Sequence, residues 1–214
     1  MVYGKVDPES RFLSGLIELQ YGQDVQEELK KVAQQVDWAK GWPNNNKSFW
    51  NAEAFMWSRK ISKEKRELIK QELSFLKGNN LDLGCGAYSY VNSVGFDFSK
   101  KMLDFNDNLI EKVEGSLEKK LPYKEDEFDS VTAIFVLNYV KNYEQLLMEI
   151  KRIVKDEFIM VLFSKQVNQW QKQKEVNTFS ADKWQEILTN CGFSVEFYEK
   201  DELCFFRCSN VFID

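Results

Sequence analysis

Apolar positions follow two regimes along the chain, and the change falls near residue 78. Before it the spacing is helical. Val25, Leu29, Val32, Ala33 and Val36 recur at three- and four-residue intervals in DVQEELKKVAQQVDWA, which sets them on one helical stripe. A second stripe, Ile61, Leu68, Ile69, Leu73 and Leu76, runs through SKEKRELIKQELSFLKG, with Ser62 as its N-cap and Gly78 as its C′ residue. The turn-rich Trp42–Ser48 (WPNNNKS) separates the two.

After Gly78 short apolar strands alternate with helical stretches. The strands are expected at Asn80–Leu83, Ser93–Phe98, Val113–Leu117, Phe128–Val136, Phe158–Phe163, Phe193–Tyr198 and Leu203–Ile213, with helices at Tyr143–Val154 and Ala181–Cys191. Alternation of this kind predicts an α/β fold with a doubly wound, mostly parallel, seven-stranded sheet. Only residues 199–202 (EKDE) join the last two strands. That length allows a hairpin and no helical crossover, so the last strand is expected antiparallel. The chain has 214 residues, enough for about one and a half average domains. We therefore expect a helical cap over 1–60 and one larger domain over 61–214.

Composition removes several chemistries. There is no histidine, so Ser-His-Asp and Cys-His triads and imidazole zinc sites are excluded. The four cysteines, at 85, 191, 204 and 208, are too scattered for a disulfide framework. Cys204 and Cys208 share one face of a strand and read as core thiols, and no metal site is expected. The formal net charge of −5 argues against a large nucleic-acid surface. No apolar run approaches the ~18 residues of a membrane span, which predicts a cytoplasmic, non-membrane protein.

Three segments carry chemistry. In LDLGCG (81–86) an apolar strand runs into a turn where Gly84 and Gly86 permit positive φ and a close backbone approach to a ligand. GFDFSKKML (95–103) is a second strand ending in an acid, Asp97, which can accept both hydroxyls of a ribose. LPYKEDEFDSV (121–131) leads into the fourth strand. In this order the three motifs resemble class I S-adenosylmethionine-dependent methyltransferases, specifically the type 11 small-domain group. The dinucleotide-oxidoreductase fingerprint needs G-x-G-x-x-G, which Gly84-Cys-Gly-Ala-Tyr-Ser89 does not supply.

The resemblance, over roughly residues 49–212, implies a Rossmann-like methyltransferase sheet, S-adenosyl-L-methionine as cofactor, and a small-molecule or protein methyl acceptor. It implies cofactor contacts from Asp82, Gly84, Cys85, Gly86, Asp97, Phe98, Met102, Ser116, Leu117 and Phe135, with the cap adding Trp50, Trp57 and Arg59. Three departures stand out. Tyr88 replaces a third glycine, Ser116 stands where an acid usually holds the adenine amino group, and Asp82 and Asp97 lie close enough that the first crossover helix should shrink to a turn or two around Tyr88–Asn92.

Trp38, Trp42, Trp50 and Trp57 crowd the cap. They read either as core packing of a helical lid or as an aromatic wall that attracts a sulfonium. Asn138-Tyr139-Val140 follows the fourth strand without the prolines of amine-directed nucleic-acid methyltransferases. Without histidine, a general base must come from Tyr, Asp, Glu, Lys or water, and Tyr139 and Glu53 are the candidates. The expected function is methyl transfer by in-line displacement. The alternatives are a non-catalytic S-adenosylmethionine-binding regulatory or partner protein on the same fold, and an RNA methyltransferase.

Overall fold

The structure, a computed structural model, describes residues 7–57, 60–164 and 169–210. Four helices come first, α1 (Pro8–Gln20), α2 (Gln26–Ala33), α3 (Asn46–Ala54) and α4 (Lys63–Glu72). There follow β1 (Asn80–Leu83), β2 (Ser93–Asp97), α5 (Lys100–Phe105), β3 (Leu109–Glu114), β4 (Phe128–Ile134), α6 (Tyr143–Ile153), β5 (Val154–Phe163), the short α7 (Gln169–Lys172), α8 (Ala181–Asn190), β6 (Phe193–Lys200) and β7 (Leu203–Asn210). The seven strands form one sheet in the order β3-β2-β1-β4-β5-β7-β6. Its first five strands are parallel, and β7 runs antiparallel to both neighbours, as the short connection requires. Asp201 and Glu202 make that connection with φ of +48° and +64°, the primed two-residue turn whose twist matches a hairpin.

Each face of the sheet buries its own apolar cluster. On one, Leu146, Leu147 and Ile150 of α6 and Trp184 and Leu188 of α8 cover Leu81, Leu83, Val131, Phe158 and Phe206. On the other, Leu68 and Ile69 of α4 cover Ile134, Ile159, Val161 and Phe205. Cys204 and Cys208 are buried in the first cluster as free thiols. A third cluster, around Phe12, Leu29, Val32, Trp42 and Phe49, belongs to the cap. Among the described residues no helix is long and apolar enough to cross a membrane.

Several boundaries differ from expectation. β3 lies at Leu109–Glu114 rather than Val113–Leu117. It is the sheet's edge, and its mostly exposed side chains leave little apolar pattern to read. β5 starts at Val154, ahead of Phe158, and β4 stops at Ile134. Ser62 does cap α4, its hydroxyl accepting the Lys65 N–H, but the helix ends at Glu72 with Leu73 as its cap. Gly78 instead lies in the turn entering β1. The expected last strand ends at Asn210; residues 211–213 lie outside the described residues. Helix α1, which the apolar pattern does not announce, starts from Pro8 with the Asp7 carboxylate accepting the Ser10 N–H.

The largest correction concerns the first crossover. No helix forms between β1 and β2, and residues 84–92 run as turns and bends. Fully buried Asn106 holds them. Its Nδ2 donates to the Gly86 carbonyl (3.0 Å) and to Ser89 Oγ (3.1 Å), while its Oδ1 accepts the N–H groups of Ser89 (3.3 Å) and Asn108 (3.2 Å). Asn108 Nδ2 in turn donates to the Ser89 carbonyl (2.9 Å). Asn106→Ala strands the Gly86 carbonyl and the Ser89 N–H in the interior. It should cost about 2–4 kcal/mol, seen in urea unfolding as a lower midpoint at unchanged slope. A loss below about 1 kcal/mol would mean that the loop holds itself without Asn106.

Candidate functional site

A cleft with about 870 Å³ of empty space, partly open to solvent, lies at the carboxyl ends of β1, β2 and β4. This is where strand order reverses, and adjacent crossovers leave the sheet edge uncovered there. Gly84 and Gly86 form part of its floor with φ of +61° and +57°. A Cβ on Gly84 would stand 2.3 Å from Val136 Cγ2, so only glycine fits the turn. The Gly84 N–H donates to the Phe96 carbonyl at 2.7 Å and ties the turn to β2.

Asp97 ends β2 and opens into the cleft. Its two oxygens accept one backbone N–H each, from Gly86 (3.0 Å) and Ser99 (2.8 Å). No cation pairs with it among the described residues. Burial raises its pKa to about 6, against the lowering effect of those N–H groups. Asp82 is raised to about 6 as well, first by burial, against hydrogen bonds from Ser89 Oγ (2.6 Å) and Thr132 Oγ1 (2.8 Å) and with a smaller contribution from Asp97. Between about pH 4 and 6 the folded protein therefore holds protons that the unfolded chain has released. Ionisation of this pair costs the free protein stability as pH rises through that window.

Helix α3 roofs the cleft. Asn46, Trp50 and Trp57 face down into it. Along one flank Lys47 pairs with Glu114 (2.5 Å), and Asn51 Oδ1 accepts the Ser99 hydroxyl (2.8 Å). Beyond the helix, Trp57 lies against the glycine turn, its ring 3.6 Å from where a Gly86 Cβ would sit. Along the other flank Gln171 Nε2 donates to Glu53 (3.3 Å) and Lys174 Nζ to the Asn44 carbonyl (3.2 Å) and Asn46 Oδ1 (3.3 Å). The Trp50 ring meets Tyr139 edge-on at 4.9 Å.

Of the residues singled out from sequence, Trp50, Trp57, Gly84, Gly86, Asp97, Phe98, Met102, Ser116, Leu117, Phe135 and Tyr139 line this cleft. Asp82 and Cys85 do not; both are buried beside the turn, and burial pushes the Cys85 thiol well up. Glu53 forms a half-buried ion pair with Lys60 instead of facing the cleft. Tyr88 turns towards α4, where the Arg66 guanidinium lies 4.9 Å from its ring centre. Arg59 lies outside the described residues. Trp38 and Trp42 belong to the cap's own core. Asn46, Glu118, Val136 and Lys174 also line the cleft and were not anticipated. Lys174 sits in a polar stretch whose sequence carries no pattern.

A family model described as methyltransferase domain matches residues 81–162. The match runs from β1 to β5, and over that span the chain is similar to methyltransferase domains. An uncharacterized protein of Methanocaldococcus jannaschii is 26% identical over 149 residues, 62% of this chain and 72% of that protein. The demethylmenaquinone methyltransferase of Lactobacillus johnsonii is 36% identical over 96 residues, 36% of this chain and 39% of that enzyme's length. A SAM-dependent methyltransferase of Thermotoga maritima, titled a possible histamine N-methyltransferase, shares the fold with a TM-score of 0.62 at 14% identity, over 76% of this chain and 98% of that one.

S-adenosylmethionine is the cofactor that the resemblance to methyltransferase domains implies, and the cleft suits it. A buried carboxylate without a cation calls for neutral donors such as a ribose diol, and the glycine turn leaves room beside it. A diol donating to Asp97 favours the ionised form. Affinity for S-adenosylhomocysteine should therefore rise as pH goes from 5 to 7 and level off above, with a midpoint near 6. Calorimetry across that range checks it, and Asp97→Asn should flatten the profile. A flat wild-type profile would detach Asp97 from the ligand.

Proposed function

We propose that the protein is a cytoplasmic methyltransferase acting on a small-molecule or protein acceptor, with residues 1–60 as a cap over a donor-binding domain, 61–214. The observation that carries this reading is Asp97: a buried carboxylate, without a cation partner among the described residues, held by two backbone N–H groups at the end of β2, beside a glycine turn. In this reading Asp97 accepts the ribose hydroxyls, Ser116 and Leu117 border the adenine, and Met102, Phe98 and Phe135 form apolar walls. Trp50 and Trp57 then cover the sulfonium, an attraction worth about 0.5–2 kcal/mol. When bound, the donor supplies a methyl group already activated on sulfur.

The chain's own part is to position the partners and exclude water. Tyr139 and Glu118 are poor bases. Burial, then Glu175 and Glu53, hold the Tyr139 hydroxyl well above its usual pKa. Glu118 is committed to the N–H groups of Lys141 (2.7 Å) and Asn142 (3.0 Å) at the start of α6. The acceptor must therefore arrive as a ready nucleophile, such as a neutral amine, a thiolate or a carboxylate. A second reading, a donor-binding partner protein without transfer, is favoured by the Trp50–Tyr139 contact, which covers the end of β4.

Labelled S-adenosylmethionine incubated with protein and cell extract separates the two. Transfer to an extract component supports the enzyme, and tight donor binding without transfer supports the partner protein. Asp97→Ala removes charge-assisted hydrogen bonds worth about 1.5–3 kcal/mol each and should weaken S-adenosylhomocysteine at least tenfold with folding intact. Amide exchange across residues 46–57 should slow on binding if the roof closes on the ligand. Slowing confined to 82–98 would reduce the tryptophans to packing.

A further inference from the structure

Among the described residues three charged side chains line the cleft, Asp97, Glu118 and Lys174. Each carboxylate accepts two backbone N–H groups, and Asp97 has its place beside the glycine turn. Lys174 is not matched by charge. Its ammonium donates to two neutral oxygens, of Asn44 and Asn46, and lies 5.0 Å from the centre of the Phe49 ring. That leaves one of three N–H donors uncommitted, and no carboxylate pairs with it among the described residues. Burial lowers its pKa, as expected for a cation partly stripped of water without a counter-charge.

We infer that Lys174 is the anion-recognising residue of the cleft and that the methyl acceptor carries a carboxylate. The inference rests on the methyltransferase reading and deepens it. A single lysine with one free donor, and no second cation lining the cleft among the described residues, suits a monovalent carboxylate better than a phosphate, which asks for more donors and more charge. The other source of a carboxylate is the donor's own methionine end. Position argues against it. Lys174 is tied to the first turn of α3, whereas the glycine turn lies beyond the other end at Trp57, separated by about 12 Å of helix. An acceptor with its nucleophile near Tyr139 and its carboxylate on Lys174 would span the roof's inner side.

The two sources separate with two donor-site probes. S-adenosylhomocysteine carries the amino-acid carboxylate, and 5′-methylthioadenosine lacks it. In calorimetry both should bind Lys174→Met as they bind wild type. Protein loaded with S-adenosylhomocysteine is then titrated with aryl and alkyl carboxylates and their primary amides, phenylacetate and phenylacetamide among them, with binding followed by ligand-observed NMR. Carboxylates should bind wild type and Lys174→Arg, and weaken at least tenfold in Lys174→Met, while the amides show no such dependence. If Lys174→Met weakens S-adenosylhomocysteine alone, the carboxylate is the donor's, and the acceptor assignment is overturned. Parallel loss of both nucleosides makes Lys174 a structural clasp and overturns it too, as does a panel in which no carboxylate depends on Lys174. Wild-type protein that binds neither nucleoside sinks the methyltransferase reading itself, a failure distinct from the other three.

Discussion

Leu83 and Ser93 are joined by residues 84–92 alone, in a parallel crossover that usually takes a dozen residues or more and a helix. A chain that short must pass almost directly from one strand end to the next, and its backbone polar groups have no helix in which to pair. They still need partners, because an unpaired buried amide costs as much as a lost hydrogen bond. Asn106 answers that need from outside the loop, with Ser89 joining it to Asp82 and through Thr132 to β4. The glycine turn is thereby fixed against β1 and β4, and the Gly84 N–H ties it to β2. The same tightness turns Tyr88 away from the cleft, where a bulky ring at a usual glycine position would otherwise obstruct the ligand.

Fixing the turn also fixes Asp97, since the Gly86 N–H is one of its two protein donors. The second donor, Ser99, connects the carboxylate to the cap. Its hydroxyl donates to Asn51, which donates in turn to the Trp38 carbonyl. A run of buried hydrogen bonds thus joins the end of β2 to the roof helix and to the loop before it. Burial without a cation leaves Asp97 poorly compensated in the free protein, and a neutral donor is what relieves it. The site is poised for a diol because its own scaffold leaves that carboxylate one kind of partner short.

Much of this was legible in the sequence where local chemistry and long-range packing agree. β1, the turn at 84–86, the acid at 97 and the hairpin after 200 each combine an apolar strand with a residue type that the backbone geometry demands. The signal fails where one of the two is missing. β3 is an edge strand with Ile110 64% exposed, so alternation could not place it. Asp82 looks like a site residue because it precedes the glycines, yet in a strand buried on both faces its side chain meets Ser89 and Thr132 instead of the cleft. Glu53 looks like a base and is paired with Lys60. Lys174 reaches the cleft only because residues 176 and 177 donate their N–H groups to the Asn138 carbonyl, a tertiary contact that no window of sequence contains.

That anchoring bears on how the cleft chooses a substrate. The segment around Lys174 and the roof helix share clasps but come from opposite ends of the chain, so the cleft is completed only when both are docked. The acidic surface of a protein with net charge −5 repels free anions at long range, though screening limits this to about 10 Å at ordinary salt. Inside the cleft an entering anion meets Lys174, which among the described residues has no carboxylate partner, at the end opposite the glycine turn. Charge selection therefore acts after entry, at short range and in partly dry surroundings where a single ion contact weighs most. A site arranged this way gains little encounter rate from electrostatics and draws its discrimination from how long the bound anion stays.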